Sequence, residues 1–64
     1  MSHLTYATEG AIRTLRRRAA GEHILTNVEI VHMHASEWGL KSLEVTQLRR
    51  DLQVEDERLR LLSK

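Results

Sequence analysis

The chain has 64 residues, 41% of them apolar and 30% charged, with ten basic side chains against nine acidic ones. That length allows one hydrophobic core and not two, so residues 1–64 read as a single small domain. The mixture is too apolar for a disordered tail, no stretch approaches the ~18 apolar residues of a membrane span, and Met1-Ser2-His3-Leu4-Thr5 lacks a signal-peptide layout. A cytoplasmic chain without a membrane partner is therefore expected.

Cysteine, proline and phenylalanine are all absent. Neither a disulfide nor a thiolate metal site can brace the fold, and the core must come from Leu, Ile, Val, Ala and Met around the two large rings, Tyr6 and Trp38. So thin a core predicts help from a second copy, and a homodimer is expected.

Gly21 and Gly39 punctuate the chain into three helical stretches, at about 5–20, 26–38 and 42–62, giving an all-α, small three- to four-helix domain. In the first stretch Leu4, Ala7, Ala11, Leu15 and Ala19 fall near one stripe with Ile12 beside it. Arg13, Arg16 and Arg17 spread over its flanks and back, and Gly10 weakens its first turn.

The second stretch opens on Thr26-Asn27-Val28-Glu29, a capping-box sequence. Val28, Val31, Ala35 and Trp38 then share a face. A strand competes here, because Ile24 to Met33 holds five β-branched residues, but alternation would place apolar side chains on both faces, and the spacing favours helix. The third stretch starts at Ser42, expected as the cap, and carries Val45, Leu48, Leu52, Leu59 and Leu62 in three- and four-residue steps, with Glu55 at the one polar position. These leucines are the expected dimer seam. Whether the segment after Val54 continues the helix stays open.

The segment Val31-His-Met-His-Ala35-Ser-Glu-Trp38-Gly39-Leu40-Lys-Ser42-Leu-Glu-Val45-Thr-Gln-Leu48-Arg-Arg50 resembles the helix-turn-helix unit of phage repressor and Cro-like DNA-binding proteins. Ala35 stands where that family needs a small residue for close helix contact, Gly39 where it needs positive φ, and Val45 and Leu48 where aliphatics anchor the second helix. The resemblance implies a small transcriptional regulator that reads double-stranded DNA. Lys41, Ser42, Leu43, Thr46, Gln47 and Arg50 would face the major groove, with Gln47 suited to adenine, Arg50 to guanine or a phosphate, and Arg13, Arg16 and Arg17 on the backbone.

The alternative is that Gly39 simply ends one helix of a small bundle. The chain would then be a homodimeric helical protein that binds and modulates another regulatory protein, with Trp38, Leu48, Leu52, Leu59 and Leu62 at the interfaces and no DNA contact. Enzymatic function is not expected: there is no cysteine nucleophile, no phosphate-binding glycine loop and no recognisable Ser-His-Asp set. His23, His32 and His34 lie close in sequence, but residues two apart on a helix point ~200° apart, so neither a metal nor another cofactor is expected.

Overall fold

A computed structural model describes residues 3–22 and 24–62, and these form three helices: α1, Leu4–Ala19; α2, Asn27–Trp38; and α3, Ser42–Leu62. Among the described residues there is no strand, and no helix is long and apolar enough to cross a membrane. His23 lies outside the described residues.

Both glycine stops close in the same way. After α1, Gly21 takes φ +85° while its N–H reaches Arg18 O and that of Glu22 reaches Arg17 O, each at 3.0 Å. After α2, Gly39 takes φ +60°, its own N–H bonds Ser36 O, and Leu40 N–H bonds Ala35 O at 2.9 Å. These are the paired bonds of a Schellman stop, which needs a residue that tolerates the left-handed region. The capping box opens α2 as expected: Glu29 N–H donates to Thr26 Oγ1, and Thr26 N–H donates to Glu29 Oε1. Ser42 does not cap α3. It is already helical, and the side chain of Glu44 reaches back to Lys41 N–H at 3.1 Å.

α2 runs antiparallel to the other two helices. At one end of α1, Tyr6 stacks on Trp38 of α2; at the other, Arg18 bonds Asn27. Asn27, the first residue of α2, also bonds Asp56, which lies two-thirds of the way along α3. Since α2 also joins the start of α3 through a three-residue turn, the pair must lie side by side along the whole ~18 Å of α2. In a helix-turn-helix the two helices cross at ~90–120°, which would carry Asn27 and Asp56 far beyond side-chain reach. The steep crossing expected from the repressor-like spacing is therefore not adopted, and the pair is an αα-hairpin. α3 rises ~31 Å, nearly the full 35 Å length of the molecule.

The core consists of Ala7, Ala11, Leu15, Ile30, Val31, Leu48 and Leu52, with Leu4, Leu25, Trp38, Leu40, Val45 and Leu59 against it. Alanines at 7 and 11, both fully buried, let α1 approach its neighbours closely, while Ala19 falls outside the stripe and is exposed. Two sequence-based expectations change. Val28 is 66% exposed, and the buried face of α2 is Ile30, Val31, His34 and Ala35. A helix wedged against two others buries a wide arc, and that arc is turned toward Ile30 and His34. Leu48 and Leu52 are completely buried within their own chain, so they line no seam with a second copy. Their stripe is the inner face of α3.

One end of the bundle is tied by a polar cluster. Asp56, 7% exposed, receives Arg18 Nη2 on Oδ1 at 3.2 Å, and Asn27 Nδ2 on Oδ2 at 3.1 Å; Arg60 lies 3.3 Å from Oδ2. Arg18 Nη1 also donates to Leu25 O and to Asn27 Oδ1. One carboxylate thus engages all three helices, and its hydrogen-bonding capacity is met.

Asp56→Asn should cost about 1–3 kcal/mol in urea unfolding, a figure reduced for the partial exposure of Arg18. A loss below ~0.5 kcal/mol would show that the cluster is no stronger than an exposed ion pair. Glu29 provides a pH test. The Thr26 backbone N–H and then its hydroxyl hold this carboxyl below the ordinary glutamate range. Its capping contribution is complete above the unfolded-state pKa and fades as pH falls through the lowered folded-state value. Carboxyl NMR titration should place Glu29 lower in the parent chain than in Thr26→Ala, and equal midpoints would remove the hydroxyl as a cause and leave the lowering to the backbone N–H alone.

Candidate interaction surface

The residues expected to face DNA are placed outward. Lys41, in the turn before α3, and Ser42, Leu43, Thr46, Gln47 and Arg50, on its first half, are all exposed, and Val45 and Leu48 turn inward. Leu43 is 86% exposed. Arg13, Arg16 and Arg17 are likewise exposed on α1. The two sets do not merge into one basic surface, because the groove of about 460 Å³ between α1 and α3 is lined by Glu9, Glu44 and Asp51 beside Leu4, Leu43 and Gln47. Three carboxylates stand between the arginines of α1 and the outward strip of α3.

Part of the arginine charge is met within the chain. Arg16 reaches Glu55 of α3 at 3.7 Å, Arg17 reaches Glu22 at 3.9 Å, Arg58 reaches Glu55 at 3.8 Å, and Arg18 and Arg60 both hold Asp56. Five of the eight arginines therefore share three carboxylates, Glu22, Glu55 and Asp56. The pairs at Arg16, Arg17 and Arg58 are solvent-exposed on the arginine side and individually contribute little to stability, but they lower the local positive potential that phosphate would meet.

The expected protein-contact residues divide by depth. Trp38 is half-buried against the core, stacks on Tyr6 at 5.4 Å between ring centroids, and takes the His3 ring edge-on at 5.6 Å. It fastens the end of α2 to the start of α1. Leu59 is also half-buried, while Leu62 is 76% exposed at the far end of α3.

A second cleft, of about 430 Å³, lies between α1 and α2 over Gly10, with Arg13, Arg17, Glu37 and Trp38 on its walls. His34 forms part of it and is 8% exposed. Thr14 Oγ1 donates to Gly10 O at 3.0 Å and lies 2.8 Å from His34 Nε2, so with its single proton committed to Gly10 the hydroxyl accepts from the ring. His34 Nδ1 is then buried without a hydrogen-bond partner, 3.9 Å from Glu37 Oε1. His32 is exposed on the other side of the helix, and among the described residues no three metal-binding side chains converge.

Several apolar side chains that the sequence reading did not select stand in solvent: Ile24 at 96%, Val54 at 60% and Leu61 at 68%. Val54 and Leu61 lie on the outward strip of α3 that also carries Leu43, at seven- and eleven-residue spacings that return to nearly the same helix angle. Searching α3 for a second stripe opposite the first would have found them. The polar cluster of Arg18, Asn27 and Asp56 had no local signal, because its members are up to 38 positions apart.

Comparison with family models, curated proteins and solved structures finds no match to this chain.

Gly10 shows how tightly α1 and α2 meet. A methyl group there would lie 2.9 Å from His34 Nδ1 and 3.0 Å from Cε1. Alanine would gain up to ~1 kcal/mol of helix propensity, but overpacking against a buried ring costs ~1–3 kcal/mol. Gly10→Ala should therefore lower the urea midpoint, and adding His34→Ala should remove that penalty. A Gly10→Ala chain more stable than the parent would contradict the close approach.

Proposed function

We propose that this chain is a small helical interaction protein that associates with itself and binds and modulates another protein, without catalysis and without reading DNA. The observation that carries this reading is the division of its surface. Five of the eight arginines are held on the chain's own carboxylates, while large aliphatic side chains at 24, 28, 43, 54 and 61 project into solvent. A phosphate-binding surface would show the reverse, with free cations gathered on one face and apolar groups withdrawn.

The αα-hairpin supports the same conclusion. A reading helix must project from its partner so that the duplex can close around it, and here α2 lies alongside α3 and covers one of its flanks. The outward strip of α3 mixes apolar residues with polar and charged ones, a composition suited to another helix.

A photo-reactive side chain at Val28 and, separately, at Leu43 tests the proposal in the native cells. Adducts should survive nuclease and disappear with protease. Purified chain should also release a random duplex pool at physiological salt without enriching any sequence. Nuclease-sensitive adducts at position 43, with salt-resistant binding of one sequence that Arg50→Ala abolishes, would overturn the reading in favour of DNA.

A further inference from the structure

The outward strip of α3 runs through positions 43, 47, 50, 54, 57 and 61, in steps of four, three, four, three and four. This is the spacing of a coiled-coil seam on the side opposite the core, and it reads Leu, Gln, Arg, Val, Glu, Leu. All six side chains are exposed. The strip also has an internal symmetry. Positions 43 and 61, 47 and 57, and 50 and 54 are each centred on 52, and Ser42–Leu62, the whole helix, is centred there too.

From this, and resting on the interaction reading above, we infer that α3 pairs antiparallel with α3 of a second copy along this outer strip, about a two-fold axis beside residue 52. In that register Leu43 meets Leu61 of the other copy at both ends. Gln47 meets Glu57, which it can hydrogen-bond, and Arg50 meets Val54 with Glu57 one turn away. Glu44 on the flank falls near Arg58 of the other copy. Because a two-fold contact repeats everything, each favourable pairing occurs twice. Two like-charged approaches remain near the axis: Asp51 against its own copy on the flank, and Arg50 against Arg50, offset four positions (~6 Å) along the seam.

The parallel arrangement fails on charge. It would stack Arg50 level with Arg50 and Glu57 level with Glu57 inside the seam, whereas the antiparallel register separates the two Glu57 by ten positions and offsets the two Arg50 by four. Length agrees as well. The packed part of the bundle ends at Leu59, one turn beyond Asp56, and α3 continues three residues further, about 4.5 Å. That overhang leaves Leu61 and Leu62 at 68% and 76% exposure. In the antiparallel pair it lies beside Leu43, at the mouth of the groove floored by Leu4 between α1 and α3 of the other copy. The apolar end that no helix covers in one copy is thus supplied with an apolar groove by the next.

The chain has no cysteine, which makes the register directly measurable. Leu43→Cys and Leu61→Cys are prepared separately and oxidised alone and as a mixture. The antiparallel seam predicts disulfide-linked pairs in the mixture and little linkage in either variant alone. Sedimentation should give twice the chain mass for the parent. Arg50→Glu should weaken association about tenfold or more, corresponding to ~1.4 kcal/mol, and Arg50→Glu with Glu57→Arg should restore it. Circular dichroism of each variant establishes that the fold is kept.

Linkage of Leu43→Cys to itself as efficiently as to Leu61→Cys would overturn the register. A parent chain that stays monomeric at ~100 μM, well above the weak-binding range, would overturn the self-association. These failures are separable from failure of the interaction reading. A monomer whose photo-adducts at Leu43 are protease-sensitive, with masses other than twice the chain, leaves that reading standing with a different partner, whereas nuclease-sensitive adducts remove both.

Discussion

Asp56 is the constraint on which the arrangement of this bundle turns. Its carboxylate lies almost out of solvent, yet both oxygens are engaged, by an arginine from α1, an asparagine from the first turn of α2 and an arginine one turn along α3. A buried charge carries a large desolvation cost, and only a complete set of donors offsets it. That requirement fixes what apolar contacts leave loose. Alanine and leucine stripes tolerate sliding by a turn, but the cluster closes only when Arg18, Asn27 and Asp56 are level, and this sets the height and direction of each helix relative to the other two.

The same constraint explains why a repressor-like spacing yields a different arrangement. Ala35, Gly39, Val45 and Leu48 satisfy the local needs of a tight helix-to-helix turn, and each does so here: Gly39 adopts the left-handed conformation, Leu40 bonds back to Ala35, and Leu48 is buried. None of them dictates the angle beyond the turn. That angle is decided at the far end of the pair, where Asn27 meets Asp56.

What could be read from the sequence was local. The capping box at Thr26 and Glu29, the two glycine stops and the stripe of α1 through Ala7, Ala11 and Leu15, though not as far as Ala19, follow from interactions spanning five residues or fewer and appear in the structure. What could not be read required knowing which helix lies beside which. His34 reads as a misplaced polar residue until Gly10 and Thr14 are brought against it, and Val28 reads as core until the buried arc of α2 is seen to turn toward Ile30. The leucines of α3 were legible as a seam but not as an internal one, since periodicity gives a face and not its occupant. For the candidate site, the exposure of Lys41, Ser42, Thr46, Gln47 and Arg50 followed from helix phase, whereas the carboxylates separating them from the arginines of α1 did not.

The turn at Gly39 also bears on how the chain folds. Joining α2 to α3 requires closing a loop of three residues, a small entropic step, and brings Trp38, Leu40 and Val45 together at once. Linking Arg18 to Asp56 closes a loop of 38 residues and gains little until both ends are already helical. The hairpin, with its Asn27–Asp56 bond, is accordingly the natural nucleus, and α1 the element that docks onto it, bringing Arg18 to Asp56 last. In that order the carboxylate oxygen that faces α1 keeps its water until the arginine that replaces it arrives.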